Sequence, residues 1–162
     1  MEVVSGIEER ASVLVVDDNP LIRSVVQSLF QLENYQVSIA NNGQDALGIL
    51  ATQQVDVIVC DVMMPRMDGY EFFDSVRAND QLSHIPFLFL TALDTDDEVK
   101  KGNLSGCDGY LTKPFDPETL ISTVHGKVLR SRNIKRSVDQ NHEKFRKRVL
   151  HTLSHEFRTP LV

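Results

Sequence analysis

Four short apolar runs in this sequence are each followed by a residue able to do chemistry. Val13 to Val16 runs into Asp17-Asp18, Val55 to Cys60 into Asp61, Phe87 to Leu90 into Thr91, and Tyr110-Leu111 leads to Lys113-Pro114. Any one of these acids alone would be explained as a helix or loop cap. If four strand ends bring them together, three carboxylates repel and raise one another's pKa unless a cation neutralises them. Carboxylate oxygens, water and an incoming phosphate describe a Mg²⁺ site, and the absence of Cys or His at these ends argues against zinc. Phosphoryl transfer needs a carboxylate nucleophile, a metal for the equatorial oxygens, and fixed positive charge or hydrogen-bond donors for the rest. Asp61, Mg²⁺, Lys113 and Thr91 could fill those roles.

The elements that must position these residues follow from periodicity. The apolar runs, with a further one at Val37 to Ile39, are separated by segments long enough for a helix. The first such segment opens on Asn19-Pro20, a cap followed by proline at the first helical position. It then places Leu21, Ile22, Val25, Val26, Leu29 and Phe30 at helical spacing, predicting a core-facing stripe. Ala46, Leu47 and Leu50, then Phe72, Phe73 and Val76, repeat the pattern. Near-continuous apolar strands alternating with amphipathic helices require a parallel sheet covered on both faces. The expectation is α/β, a five-stranded doubly wound parallel sheet ending near Lys127. Such sheets bind ligands beyond the carboxyl ends of their strands, where strand order reverses.

Composition bounds the alternatives. With 162 residues, 41% of them hydrophobic, the chain can build one ordinary domain and an appendage. The two cysteines lack disulfide-scaffold or metal-ligand spacing, and no run of 18 apolar residues occurs, so a reduced, cytoplasmic chain without a membrane segment is expected. Residues 1–129 hold 20 acids against 8 Lys plus Arg, whereas residues 130–162 hold 3 against 9. The commoner cause of such a basic tail is a solvated helix face rather than nucleic acid. After Asp116-Pro117-Glu118, which reads as a cap and first turn, only Gly126 interrupts the chain before Pro160. The last helix is therefore expected to continue, with Leu120, Ile121, Val124 and Val128 toward the sheet. Beyond them, Ile134, Val138, Phe145, Val149, Leu153 and Phe157 form a narrow stripe suited to a coiled coil.

The strings Val15-Val16-Asp17-Asp18-Asn19, Asp61-Val62-Met63-Met64-Pro65-Arg66-Met67-Asp68-Gly69, Leu90-Thr91-Ala92 and Tyr110-Leu111-Thr112-Lys113-Pro114-Phe115 resemble those of response-regulator receiver domains. The resemblance covers about residues 11–130 and implies a flavodoxin-like receiver fold. It implies that Asp61 is the aspartyl-phosphate site, and that Asp18, Asp61 and the backbone carbonyl of Met63 ligate Mg²⁺ directly while Asp17 assists through water. It further implies a Lys113 contact to the phosphoryl group and a cis Lys113-Pro114 peptide. Thr91 and Tyr110 would be a switch pair, read out on the face of the fourth helix, fifth strand and fifth helix. Gly109 departs from the polar residue the family often places there, which predicts a looser fifth strand. Met63 and Leu93, apolar where some relatives are polar, are expected to shield the acyl phosphate from water.

A second string, Leu153-Ser154-His155-Glu156-Phe157-Arg158-Thr159-Pro160-Leu161, resembles the H-box of histidine kinases, the first helix of their dimerisation and phosphotransfer domain. The likeness makes His155 a second phosphoacceptor in a complete kinase, with Glu156 as its helper. The organisation expected is a tail at 1–10, a receiver at 11–130, and a helical linker with partial phosphotransfer helix at 131–162. Either the chain is a piece of a longer hybrid kinase or it is a remnant that keeps the helix for homodimerisation. No ATP-binding domain is encoded, so no kinase activity of its own is expected. The expected donor is a histidine kinase or phosphotransfer protein, and the expected output is relay through the C-terminal helix. The alternatives are a stand-alone response regulator with a dimerising or DNA-contacting basic helix, and metal-dependent hydrolysis at the acidic cluster.

Overall fold

The computed structural model describes residues 10–92, 106–133 and 146–148. In chain order the elements are β1 (Ser12–Val16), α1 (Pro20–Leu32), β2 (Gln36–Ala40), α2 (Gly43–Leu50), β3 (Val57–Asp61), α3 (Gly69–Ala78), β4 (Phe87–Thr91) and β5 (Gly109–Thr112). A further helix occupies 117–133. The chain divides into two units, Met1–Val128 and Leu129–Val162. The continuous helix and coiled coil expected beyond 133 lie outside the described residues, apart from a helical stretch at 146–148. No described helix is long and apolar enough to cross a membrane.

All five strands pair in parallel, in the order β2-β1-β3-β4-β5. The chain thus leaves β1 toward β2 and returns on its other side as β3, which puts the reversal of strand order between β1 and β3. The central strands β3 and β4 are buried at every residue, as their unbroken apolar runs require, while edge strands β2 and β5 are only partly covered. Alternate side chains supply two cores. On one face Leu14, Val16, Ile58, Cys60, Phe87 and Phe89 meet Ala46 and Leu50 of α2 and Phe72, Phe73 and Val76 of α3. On the other, Val13, Val15, Val57, Val59, Leu88 and Leu90 meet Val26 and Phe30 of α1 and Leu120, Val124 and Val128. Phe72, Phe73, Phe87 and Phe89 pack with ring centroids 4.9–5.7 Å apart, fixing α3 on β4, the strand that comes after it.

Local signals place the helix starts. Asn19 accepts from the N–H groups of Leu21 and Ile22 with Pro20 behind it, Asp68 and Glu71 form a capping box, and Asp116 accepts from the Thr119 N–H at 3.0 Å. The core stripe expected of α1 is narrower than its sequence suggests. Val26 and Phe30 are buried and Ile22 and Leu29 pack against them, but Leu21 is 71% and Val25 46% exposed. Six apolar residues spread around more of the helix than one sheet face covers, and Leu21 and Val25, one turn apart, fall on the uncovered flank. Gly109 pairs in register with Leu88, and a Cβ on it would come 3.1 Å from Leu88 Cδ1, so the missing side chain admits that neighbour.

Candidate functional site

Register brings the chemistry-bearing ends together. Val16 is opposite Cys60, Asp61 opposite Leu90, and Thr91 opposite Thr112, so the residues just past β1 and β5 flank the last residues of β3 and β4. One carboxylate oxygen each from Asp17, Asp18 and Asp61 lies within 4.8 Å of the others. Asp17 and Asp61 are buried and Asp18 is exposed. Asp61 ends β3 with its main-chain oxygen near the Cys60 thiol, which donates to it at 3.0 Å.

Lys113 enters from the far side. Its N–H donates to the Thr91 carbonyl at 2.8 Å, and the Lys113-Pro114 peptide is cis, as the sequence resemblance implies. From there its Nζ lies 3.0 Å from Asp17 Oδ2 and 3.4 Å from Asp61 Oδ1. Asp17 is further fixed by the Asn19 N–H, which donates to its Oδ1 at 2.9 Å. Burial is the first cause, and the Asp17 charge the second, that push the Asp61 carboxyl above its ordinary value; Lys113 opposes both.

Three acids against one ammonium leave the cluster with excess negative charge at a buried strand end. An all-oxygen donor set with an open, exposed member suits a hard divalent cation. The β3–α3 loop shapes the rim. Gly69 donates its N–H to the Val62 carbonyl at 2.8 Å and lies so close that a Cβ would sit 2.3 Å from the Asp61 carbonyl oxygen. Met63, in the loop after β3, is 65% exposed. Thr91 is buried at the end of β4, and Tyr110 is 40% exposed on β5. Leu93, His155 and Glu156 lie outside the described residues.

Two further residues, Gly69 and Arg23, contribute to the site. Gly69 had no visible signal beyond its place in the loop motif, because the close approach that demands it is tertiary. Arg23, whose Nη1 donates to the Asp17 carbonyl at 2.8 Å, did carry one: it is the single charged residue in α1 and stands one turn after the cap residue Asn19.

The family model described as the response regulator receiver domain matches residues 13–125. The chain belongs to that family. Its receiver domain is similar to the solved receiver domain of a Francisella response regulator, with 35% identity over 75% of this chain and 99% of that one and a TM-score of 0.69. It is similar also to the signal receiver domain of a signal transduction histidine kinase from Syntrophus aciditrophicus, with 30% identity over 73% of this chain and 89% of that one and a TM-score of 0.68. Among curated relatives, the transcriptional regulatory protein TrcR of Mycobacterium tuberculosis is 38% identical over 128 residues, covering 79% of this chain and 49% of TrcR. The chain spans between about half and 62% of the length of such relatives.

Proposed function

We propose that the receiver domain accepts a phosphoryl group on Asp61 from a phosphohistidine of a histidine kinase or phosphotransfer protein. The observation that carries this is the Lys113 ammonium standing between Asp17 at 3.0 Å and Asp61 at 3.4 Å, beside a third carboxylate. Asp18, Asp61 and the main-chain carbonyl of Met63 would hold Mg²⁺, with Asp17 assisting through water. When bound, Mg²⁺ neutralises developing charge on the transferred oxygens. An Asp61 carboxylate oxygen forms the new P–O bond as the donor's P–N bond breaks and its electron pair returns to the imidazole. Lys113 exchanges a carboxylate partner for a phosphoryl oxygen, which offsets the charge gained. Thr91 and Tyr110 form the switch pair that passes the change to the surface. Incubation with acetyl phosphate and Mg²⁺, followed by mass spectrometry, should show one phosphoryl adduct on the wild type and none on Asp61→Ala. An equal adduct on the variant, or none on the wild type, defeats the assignment.

Two continuations of this reading have support. The H-box likeness around His155 and Glu156, together with a receiver neighbour from a histidine kinase, supports a relay through residues 131–162 into a dimeric phosphotransfer helix. The transcriptional regulators among the relatives support a response regulator that acts on nucleic acid, for which Arg130, Arg132, Lys135, Arg136, Lys144, Arg146, Lys147 and Arg148 supply charge. Cysteine crosslinking along 134–153 with and without a phosphoryl mimic separates them. The relay predicts a changed crosslink pattern and no salt-dependent DNA shift; the regulator predicts the shift.

A further inference from the structure

The three carboxylates of the cluster are not held alike. Asp17 has the Asn19 N–H on one oxygen and the Lys113 ammonium on the other. Asp61 shares that ammonium. Asp18 is exposed, and among the described residues its carboxylate has no hydrogen bond or ion pair. Its placement must therefore come from the backbone that carries it.

One peptide upstream, Arg23 Nη1 donates to the main-chain carbonyl of Asp17 at 2.8 Å. That carbonyl lies in the plane of the peptide joining Asp17 to Asp18, and a peptide plane turns as a unit. Arg23 is itself seated on the first turn of α1, its N–H bonded to the Asn19 carbonyl at 3.0 Å. Asn19 in turn donates to Asp17 and caps the helix. The Asp18 backbone is thus enclosed by a loop of hydrogen bonds whose one long-reaching member is the guanidinium.

We infer that Arg23 is a positioning residue for Asp18: by fixing the Asp17–Asp18 peptide it presents that otherwise unsupported carboxylate, preorganised, to a divalent cation. The inference rests on the reading of the cluster as a Mg²⁺ site. Its sign sets it apart from a simple charge effect. A guanidinium near a cation site repels the cation, so charge alone would make removal of Arg23 tighten Mg²⁺ binding. A group that orients a metal ligand has the opposite effect, about 10- to 100-fold in affinity when removed.

Titration calorimetry of Mg²⁺ into metal-free protein tests this, with thermal melts in EDTA confirming that each variant is folded at the titration temperature. Arg23→Gln should weaken Mg²⁺ about tenfold or more. Arg23→Lys keeps the charge but loses the planar fork, and should fall between Arg23→Gln and wild type. Wild-type or tighter affinity in Arg23→Gln overturns the inference, and should that variant not fold, wild-type affinity in Arg23→Lys does so. The underlying site reading fails separately, if the wild type binds no Mg²⁺ or if Asp18→Asn binds it as tightly as wild type.

Discussion

Lys113 Nζ is nearer to Asp17 Oδ2, at 3.0 Å, than to any oxygen of Asp61, the nearest of which is at 3.4 Å. The lysine proposed to serve the phosphoryl group is thus first of all the counter-ion of a carboxylate whose side chain is 3% exposed. Removing it strands that charge, which for a buried pair costs about 3 kcal/mol. Lys113→Met should therefore lose about that much stability in EDTA. Because divalent cation binding relieves the same charge, Mg²⁺ should raise the urea midpoint of the variant by more than that of wild type. Equal Mg²⁺ shifts would show that Lys113 does not neutralise the cluster.

The raised Asp61 carboxyl makes metal-free stability depend on pH. Its folded-state pKa lies above the ordinary value of 3.8, so the stability it lends is fully present below that value and is lost as pH rises through the folded-state pKa. Asp61→Asn, which cannot ionise, should unfold at higher urea than wild type at pH 7.5 in EDTA. The advantage should shrink as pH falls toward 4. A variant no more stable than wild type at pH 7.5 would mean that burial and Asp17 do not strain this carboxylate.

Two glycines test close packing against open space. At Gly69 a Cβ would meet the Asp61 carbonyl at 2.3 Å and Val62 Cα at 2.8 Å, both backbone, so Gly69→Ala should cost about 3 kcal/mol and slow acetyl phosphate labelling by moving β3's end. Gly48, on the exposed side of α2, has nothing within 4 Å. Gly48→Ala should stabilise by about 0.5–1 kcal/mol through helix propensity and leave labelling unchanged. Denaturant melts of the pair decide it, and a tolerated alanine at 69 would refute the packing.

The opposite end of the sheet should be separable from the chemistry. There Asp108 Oδ2 accepts both the Phe87 N–H and Arg77 Nη2 at 2.7 Å, while Arg77 Nη1 also binds the Ser83 and Ile85 carbonyls. Asp108→Ala leaves the N–H of a fully buried phenylalanine without its acceptor and should cost about 2 kcal/mol. Since this lies at the amino ends of β4 and β5, the labelling rate below the melting temperature should match wild type. A slowed rate would tie this node to the site.

The alternation of elements and the identity of the acids are legible in the order of residues alone. Short, β-branched apolar runs such as Val57 to Cys60, set between helical segments, read as strands buried on both faces, and Asn19-Pro20 and Asp116-Pro117 announce helix starts locally. These are short-range facts, written in periodicity and caps. Pairing across distance emerges only on folding: that β1 lies between β2 and β3, so that Asp17 and Asp61 become neighbours; that Lys113 chooses Asp17 first; that Leu21 and Val25 stay uncovered while Val26 and Phe30 do not; and that Gly69 and Arg23 press on the backbone of the acids. Strand order, register and close approach depend on which surfaces meet after collapse, and a residue's own neighbours in the chain carry no record of that.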